Sequence, residues 1–202
     1  MKRGRPREFD PDATLDQALI VFRRDGFESA SVQTLADAMG ICKPSLYAAY
    51  GNKEALFIAA VRRYSEQGRT RQRAILDAEP DARRAVQLLM DDVVTSYAAC
   101  RAHAGCLVVA ETAGTAESQS DAVRDVLSSA LGDTRDVLRA RLRRAHDEGG
   151  LPPHFDADEF ASYLGTLIAG LSVQAKAGAT VESMRAVVST AMRAWPLSTK
   201  GT

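Results

Sequence analysis

Residues 42–53 carry side chains whose types and spacing suit contact with a nucleic acid. Lys43, Ser45 and Tyr47 supply a cation, a hydroxyl and a phenol within one short stretch, and Lys53 follows six residues later. Such groups pair with base edges and phosphates in the major groove of DNA. The stretch contains no acidic side chain that would repel a phosphate. We therefore expect these four residues to contact DNA.

Two short helices joined by a tight turn are predicted to position these groups. Ser31 can cap a first helix that carries an apolar stripe, and the following glycine can end it in a left-handed conformation. Lys43 is predicted at the cap of the second helix, with Pro44 at its first position, where the missing N–H costs nothing. Leu46 and Tyr50 are four residues apart and point inward. The pattern is typical of a helix-turn-helix with an open polar face.

The N-terminal segment 1–7 holds four cations and no acid. Its Arg-Gly-Arg-Pro run resembles the core of an AT-hook, in which glycine lets the backbone lie deep in a narrow minor groove. We expect Arg3 and Arg5 to follow the negative potential of that groove. A tail that only improves solubility is the alternative.

Three motifs connect the first third of the chain to a known family. They are F-x-x-x-G-F at 22–27, S-V-x-x-L-A at 31–36 and L-Y-x-x-Y-x-x-K-E-A-L at 46–56. On these motifs the chain resembles the TetR family of bacterial transcriptional regulators. Two further runs, at 105–109 and 170–179, resemble one branch of the family's ligand-binding half.

The resemblance implies roles for individual positions. The residues that match family positions approaching bases are Gln33, Lys43, Pro44 and Tyr47. The residues that match positions near phosphates are Tyr47, Ala49 and Lys53. Small alanines at 48 and 49 replace larger polar or aromatic residues of many relatives, so we expect two family contacts to be weakened.

Composition favours an all-helical protein. The chain has 202 residues, 46% of them hydrophobic, with few aromatics and abundant alanine. Helical periodicity and capping residues predict about nine helices in two domains: an arm and a three-helix DNA-binding domain at 1–65, and an effector-binding and dimerisation domain at 66–202. The formal net charge is zero, so only local clusters of cations can attract DNA.

No signal-peptide pattern and no apolar run of spanning length is found in the sequence. We therefore expect a cytoplasmic protein with no membrane partner. The three cysteines argue against a disulfide framework. The three histidines match no catalytic or phosphate-loop pattern, so an enzyme is not expected, nor is a cofactor.

A ligand pocket is predicted between the fifth helix, which begins near Asp81, and the eighth, which Asp156 opens with the spacing of a capping box. Helical spacing places two apolar faces opposite each other, with three hydroxyl groups among them. The ligand should then be small and largely hydrophobic. Simple core packing by the same side chains is the alternative. The candidate lining residues are Met90, Val94, Tyr97, Tyr163, Thr166 and Leu167.

Glycines inside the eighth predicted helix suggest a close approach between helices. Gly165 and Gly170 lie beside Leu167 and Leu171, and glycine within a helix costs about 1 kcal/mol relative to alanine. We expect a homodimer through the eighth and ninth helices, because a two-fold pair reads two half-sites. The alternative is that these glycines allow close packing between helices of the same chain.

Cysteine and histidine offer one cluster with metal-ligand chemistry. Cys100, His103 and Cys106 are spaced by three, yet three ligands and an intervening glycine fit zinc or copper poorly. Buried or interfacial cysteines are the preferred interpretation, and no metal is predicted. A redox switch at Cys42 is disfavoured because no second cysteine is near in the sequence.

Together these patterns predict a repressor of the TetR type that binds a palindromic operator as a dimer. The resemblance implies that a small effector binds between the fifth to eighth helices, that the fourth helix moves as a lever, and that the protein then leaves DNA. Two alternatives remain open. One is a non-specific architectural DNA-binding protein, and the other is a small-ligand carrier with a vestigial DNA-binding domain.

Overall fold

The computed structural model describes residues 10–99, 105–114 and 119–196. These residues form nine helices and no strand, as the sequence predicted. The helices are α1 (Pro11–Ser29), α2 (Val32–Ala38), α3 (Lys43–Tyr50), α4 (Lys53–Ala78), α5 (Ala82–Ala98), α6 (Leu107–Gly114), α7 (Asp121–Asp147), α8 (Ala157–Lys176) and α9 (Val181–Arg193).

Polar side chains start most of these helices. Ser31 accepts a hydrogen bond from the amide of Thr34, and Asn52 accepts one from the amide of Ala55. Comparable caps stand before α1, α5, α7, α8 and α9. Each cap satisfies an amide that the first turn of a helix leaves without an internal partner.

The apolar residues divide into two clusters. The N-terminal core is built around Phe22, Leu46 and Phe57, and it also takes in Leu107 and Val108 of α6 and the first half of α7. The C-terminal core joins the end of α4 to α5, α8, α9 and the second half of α7. Helix α6 is therefore packed with the N-terminal helices, although the sequence assigns it to the second domain.

Helix α4 connects the two cores without a break. It runs through residues 65 and 66, where we expect the domain boundary, and packs along α7. The helix ends beneath Arg141 of α7, whose guanidinium donates hydrogen bonds to the carbonyls of Leu76, Glu79 and Pro80. The helix that is expected to act as a lever, α4, is therefore continuous and is held at its C-terminal end.

Candidate nucleic-acid interface and effector cavity

The helix-turn-helix consists of α2 and α3, joined by a turn in which Gly40 has a φ of 66°. Leu46 is fully buried and fixes α3 against the N-terminal core. One detail of the prediction was wrong. Cys42, not Lys43, is the N-cap of α3, so Lys43 and Pro44 are its first two helical residues. Proline is tolerated at both positions because neither amide has an acceptor inside the helix.

The polar face predicted for α3 is open to solvent. Tyr47 is 48% exposed, whereas Tyr50 is half-buried and its hydroxyl is 3.0 Å from the Thr14 hydroxyl. Lys43 and Pro44 are exposed as well. The phenol and the ammonium therefore need no rearrangement of the core to reach a groove.

Two further predicted contacts have partners within the protein. Ser45 is half-buried, and its hydroxyl lies 3.2 Å from the Cys42 sulfur, a contact that lowers the pKa of the thiol. Gln33 is exposed, and its amide donates to the Asp37 carboxylate at 2.7 Å. Both side chains lie at the surface of the helix-turn-helix, where DNA would exchange these contacts for its own.

Lys53, for which the sequence predicts a phosphate contact, is the first residue of α4 and also has a structural role that the sequence did not indicate. Its ammonium donates to the carbonyls of Phe27 and Glu28, at 3.0 and 3.2 Å, and stands 4.7 Å from the centre of the Phe27 ring. A cation at the C-terminal end of a helix satisfies its last carbonyls. Lys53 thus ties the start of α4 to the end of α1.

The arm residues Arg3 and Arg5 lie outside the described residues, as do Cys100 and His103 of the cysteine and histidine cluster. Cys106 is described and lies just before α6. Within the described ranges no group of histidine, cysteine and acidic side chains could hold a metal ion.

A cavity of about 300 Å³ lies among α4, α5, α6, α7 and α8. That volume is at the lower end of the range for small-molecule sites, roughly 300–1,000 Å³. Its apolar wall includes Val93, Val108, Ile168 and Ala169. The cavity lies between the helices where the resemblance places an effector.

The lining differs from the predicted one. Of the six candidates, only Tyr97 reaches the cavity. Met90 and Val94 are fully buried in the C-terminal core, and Leu167 packs against it. Tyr163 and Thr166 are exposed on the outer face of α8. The prediction of a cavity between these six side chains was wrong.

The reason lies in the helical faces. On α5 the cavity is lined by Val93 and Ser96, which lie to one side of the stripe of Met90 and Val94, and by Tyr97 at the edge of that stripe. On α8 it is lined by Gly165 and Ala169, whereas Tyr163 and Thr166 are exposed. The middle of the hydrophobic stripe fills the core, and the residues flanking it border the cavity.

The cavity also carries more polar groups than expected. The Tyr64 hydroxyl donates to the Cys106 sulfur at 3.5 Å, and burial beside this sulfur raises the pKa of Tyr64 and of Tyr97. At its rim, guanidinium groups from α4 pair with carboxylates, among them Arg69 with Asp133 at 3.3 Å. The α4 residues on this wall include Gln67, Arg69, Arg71 and Gln72, and the high density of arginine and glutamine at 62–73 could have indicated it.

The residues of α8 that the sequence suggested for a dimer interface differ in exposure. Leu171 is 1% exposed and belongs to the C-terminal core, so it is not available to a partner. A Cβ on Gly165 would lie 3.5 Å from Arg135, so this glycine faces α7 of the same chain. Gly170 is exposed with nothing within 4 Å, and Val173 beside it is 55% exposed.

Family comparisons agree with this architecture. Residues 15–60 match the family model of bacterial regulatory proteins of the tetR family, and residues 82–195 match that of the tetracyclin repressor-like C-terminal domain. The chain belongs to the TetR family of bacterial transcriptional regulators. This confirms the resemblance read from the three sequence motifs.

Individual relatives match over nearly the whole chain. The HTH-type transcriptional repressor ComR of Escherichia coli K12 is 32% identical, over 96% of this chain and 92% of its own length. The TetR family regulator CifR, solved as a cysteine mutant with 26-base-pair operator DNA, superposes with a TM-score of 0.87 at 43% identity, covering 95% of this chain and all of its own. A second CifR cysteine mutant with operator DNA gives 0.87 at 42% identity, covering 96% of this chain and all of that one.

The chain is accordingly a transcriptional regulator with a helix-turn-helix. None of the helices in the described part of the chain is long and apolar enough to cross a bilayer.

Proposed function

We propose that this chain is a homodimeric repressor that binds a palindromic operator through α3 and leaves it when a small molecule occupies the cavity. The observation that carries the DNA-binding part is the open face of α3, where Lys43 and the 48% exposed Tyr47 stand over a fully buried Leu46. The operator complexes of CifR, a protein of similar structure, support this reading.

The DNA contacts divide by chemistry. Lys43, Pro44 and Tyr47 of α3, with Gln33 of α2, would contact base edges in the major groove. Ser45 lies between Pro44 and Tyr47 in the sequence. Lys53 uses two of its three ammonium hydrogens on the carbonyls of α1, which leaves the third for a phosphate. Arg3 and Arg5 of the arm would add minor-groove contacts.

A second copy of the chain completes the regulator. One recognition helix reads too few base pairs for useful specificity, and a two-fold pair reads half-sites one helical turn apart, about 34–36 Å. We place the interface on the outer faces of α8 and α9, with Tyr163, Gly170 and the exposed Val173 at its centre. We propose that the chain is divided into two domains, 1–65 and 66–202, which are joined through α4.

The ligand is a small neutral molecule with an apolar body and at least one polar group. The cavity wall of Val93, Val108 and Ile168 would hold the body. The phenols of Tyr64 and Tyr97 would hold the polar group, since burial keeps them protonated and able to donate. At the rim, Arg69 is paired with Asp133 and Arg71 with Asp92, so the charge of these two guanidinium groups is already opposed by carboxylates.

The experiment is a titration of a duplex that the wild-type protein selects from a random library, followed by fluorescence anisotropy. Lys43→Ala and Tyr47→Ala should each weaken binding by roughly tenfold, or about 1.4 kcal/mol, because a base contact contributes about 1–3 kcal/mol of discrimination. Their melting temperatures should change little, since both side chains are exposed.

Arg84→Ala is the matched control. It removes one exposed cation from the start of α5, in the other domain, and should leave affinity unchanged. An architectural protein would bind scrambled duplexes as tightly as the selected one, and that result would overturn the proposal. Equal losses of stability and affinity in the α3 variants would show that these side chains serve the core instead.

A further inference from the structure

Helix α6 touches both the cavity and the DNA-binding helices. Val108 and Val109 of its first turn line the cavity, while Leu107 and Val108 are buried in the N-terminal core. Just before the helix, the Cys106 amide donates to the Ser172 hydroxyl of α8 at 2.8 Å, and the Gly105 carbonyl accepts from Arg23 of α1 at 3.4 Å. A ligand that fills the cavity therefore presses on a helix that is already part of the N-terminal core.

The second turn of α6 carries a buried carboxylate that reaches α1. Glu111 is 8% exposed, and its Oε1 accepts a hydrogen bond from the Phe27 amide at 3.1 Å. This amide follows a kink at Gly26, where φ is 80° and ψ is 168°. A Cβ at Gly26 would lie 3.3 Å from the same oxygen, so the glycine provides both the positive φ and the room for the carboxylate.

Phe27 is also the residue through which α1 contacts the start of α4. Its carbonyl accepts from the Lys53 ammonium at 3.0 Å, and its ring centre lies 4.7 Å from that of Phe57. Lys53 is the first residue of α4 and stands three residues after Tyr50, the last residue of α3. A displacement of Phe27 is thus passed directly to the end of the recognition helix.

We propose that Glu111 is a positioning residue that couples occupancy of the cavity to the orientation of the DNA-binding helices. Its carboxylate holds the Phe27 amide, so that a shift of α6 moves the end of α1 and, through Lys53, the start of α4. This inference rests on the proposed function. Glu111 itself lines neither the cavity nor the open face of α3; it lies about 6 Å along α6 from Leu107, at 1.5 Å per residue.

The test compares three single variants of the full-length chain. Glu111→Ala removes the acceptor, Glu111→Gln keeps an acceptor oxygen at the same reach, and Thr112→Ala alters the adjacent exposed residue as a control. The probe is the duplex selected by the wild-type protein, titrated well below the melting temperature of each variant. Hydrogen exchange of the Phe27 amide reports on the contact itself.

Glu111→Ala should weaken operator binding about tenfold and lose protection of the Phe27 amide, because that amide loses a hydrogen bond to a charged acceptor. Glu111→Gln should restore both readouts to within about twofold of wild type, and Thr112→Ala should change neither. If Glu111→Ala does not fold, Glu111→Asp takes its place, since it keeps the charge and withdraws the oxygen by one methylene. Glu111→Asp should show the same losses of operator affinity and of Phe27 protection.

Lost Phe27 protection with unchanged operator affinity would overturn the coupling, because Glu111 would then serve only the stability of the fold. Unchanged Phe27 protection would show that the carboxylate does not hold this amide. If the wild-type protein selects no duplex at all, the proposed function fails instead, and exchange at Phe27 still reports on the contact.

Discussion

Arg141 anchors the C-terminal end of α4, and its replacement by methionine tests how much that anchor contributes. Its side chain leaves α7 and is 4% exposed. Nε donates to the Leu76 carbonyl at 3.1 Å, and one terminal nitrogen donates to the carbonyls of Glu79 and Pro80 at 3.1 and 2.7 Å. Burial lowers the pKa of this guanidinium, yet arginine stays protonated in proteins.

Two opposing effects set the size of the loss. The buried Leu76 carbonyl costs about 1–3 kcal/mol when it is left without a donor, and the part-buried carbonyls of Glu79 and Pro80 cost less because water can reach them. Methionine spares the burial of a charge and fills much of the volume, and replacing a buried charge by a well-packed apolar side chain recovers a few kcal/mol. Three carbonyls against one buried charge give a net loss of about 3 kcal/mol in the free energy of unfolding.

The corresponding fall in melting temperature is about 6–12 °C, since a chain of this size shifts by roughly 2–4 °C per kcal/mol. Calorimetry at fixed protein concentration measures it, because association would make the midpoint concentration-dependent. Arg143→Met, two residues along the same helix, is the matched control: its side chain is 58% exposed and pairs with Asp158, which predicts a loss of at most about 1 kcal/mol. Equal shifts in the two variants would refute the argument for Arg141.

Two further pairs of variants each contrast a surface or cavity position with a position in the core. On α8, Val173→Asp should give a folded protein that is monomeric in sedimentation velocity. Leu171→Asp should instead lower the free energy of unfolding by more than about 3 kcal/mol, because it buries an unpaired charge. A dimeric Val173→Asp protein would show that the outer face of α8 is not part of the interface. Ala169→Phe should fill the cavity and keep operator binding, and it should abolish the thermal stabilisation that the wild-type protein gains from hits in a screen of neutral small molecules. Val94→Phe should overpack the core and lower the free energy of unfolding by about 1–3 kcal/mol. Retained stabilisation by the same compounds in Ala169→Phe would place their site elsewhere.

The helices could be predicted from the sequence because their signals are local. Ser31 caps the helix that it was expected to cap, and it accepts from an amide three residues ahead, as Asn52 and Thr180 do at the starts of α4 and α9. Apolar periodicity located the buried Leu46 and left Tyr47 outside. These relations span at most one or two turns, so no knowledge of the tertiary structure is needed.

The contacts that join distant segments were not predictable in the same way. Lys53 is a cation in a stretch without acids, which favours a phosphate reading, but its position beside the α1 carbonyls depends on how α1 and α4 cross. Glu111 and Phe27 are separated by 84 positions. A glutamate within an otherwise apolar short helix was the available signal, since burial of a carboxylate requires a hydrogen-bond partner.

The cavity shows a second limit, because periodicity identifies a buried face but not what it is buried against. Val93 and Val94 are adjacent, and both are nearly inaccessible, yet one borders the cavity and the other fills the core. On α8, the residues that line the cavity include Gly165 and Ala169. Small residues such as Gly165 and Ala169 leave space, which makes glycine and alanine a better guide to a cavity than the large apolar residues.

The division of the chain into cores also changes how the regulator should respond to a ligand. A boundary at residues 65 and 66 suggests that a signal must travel along α4 to reach the DNA-binding helices. Yet Leu107 and Val108 of α6 pack with Phe22 and Phe57, so one wall of the cavity is already part of the N-terminal core. Because close-packed interiors transmit displacement instead of absorbing it, we expect movement of this wall to reach α1 directly, through Glu111 and Phe27. On the coupling proposed for Glu111, α1 then displaces the start of α4 through Lys53, while Arg141 holds the other end of the helix.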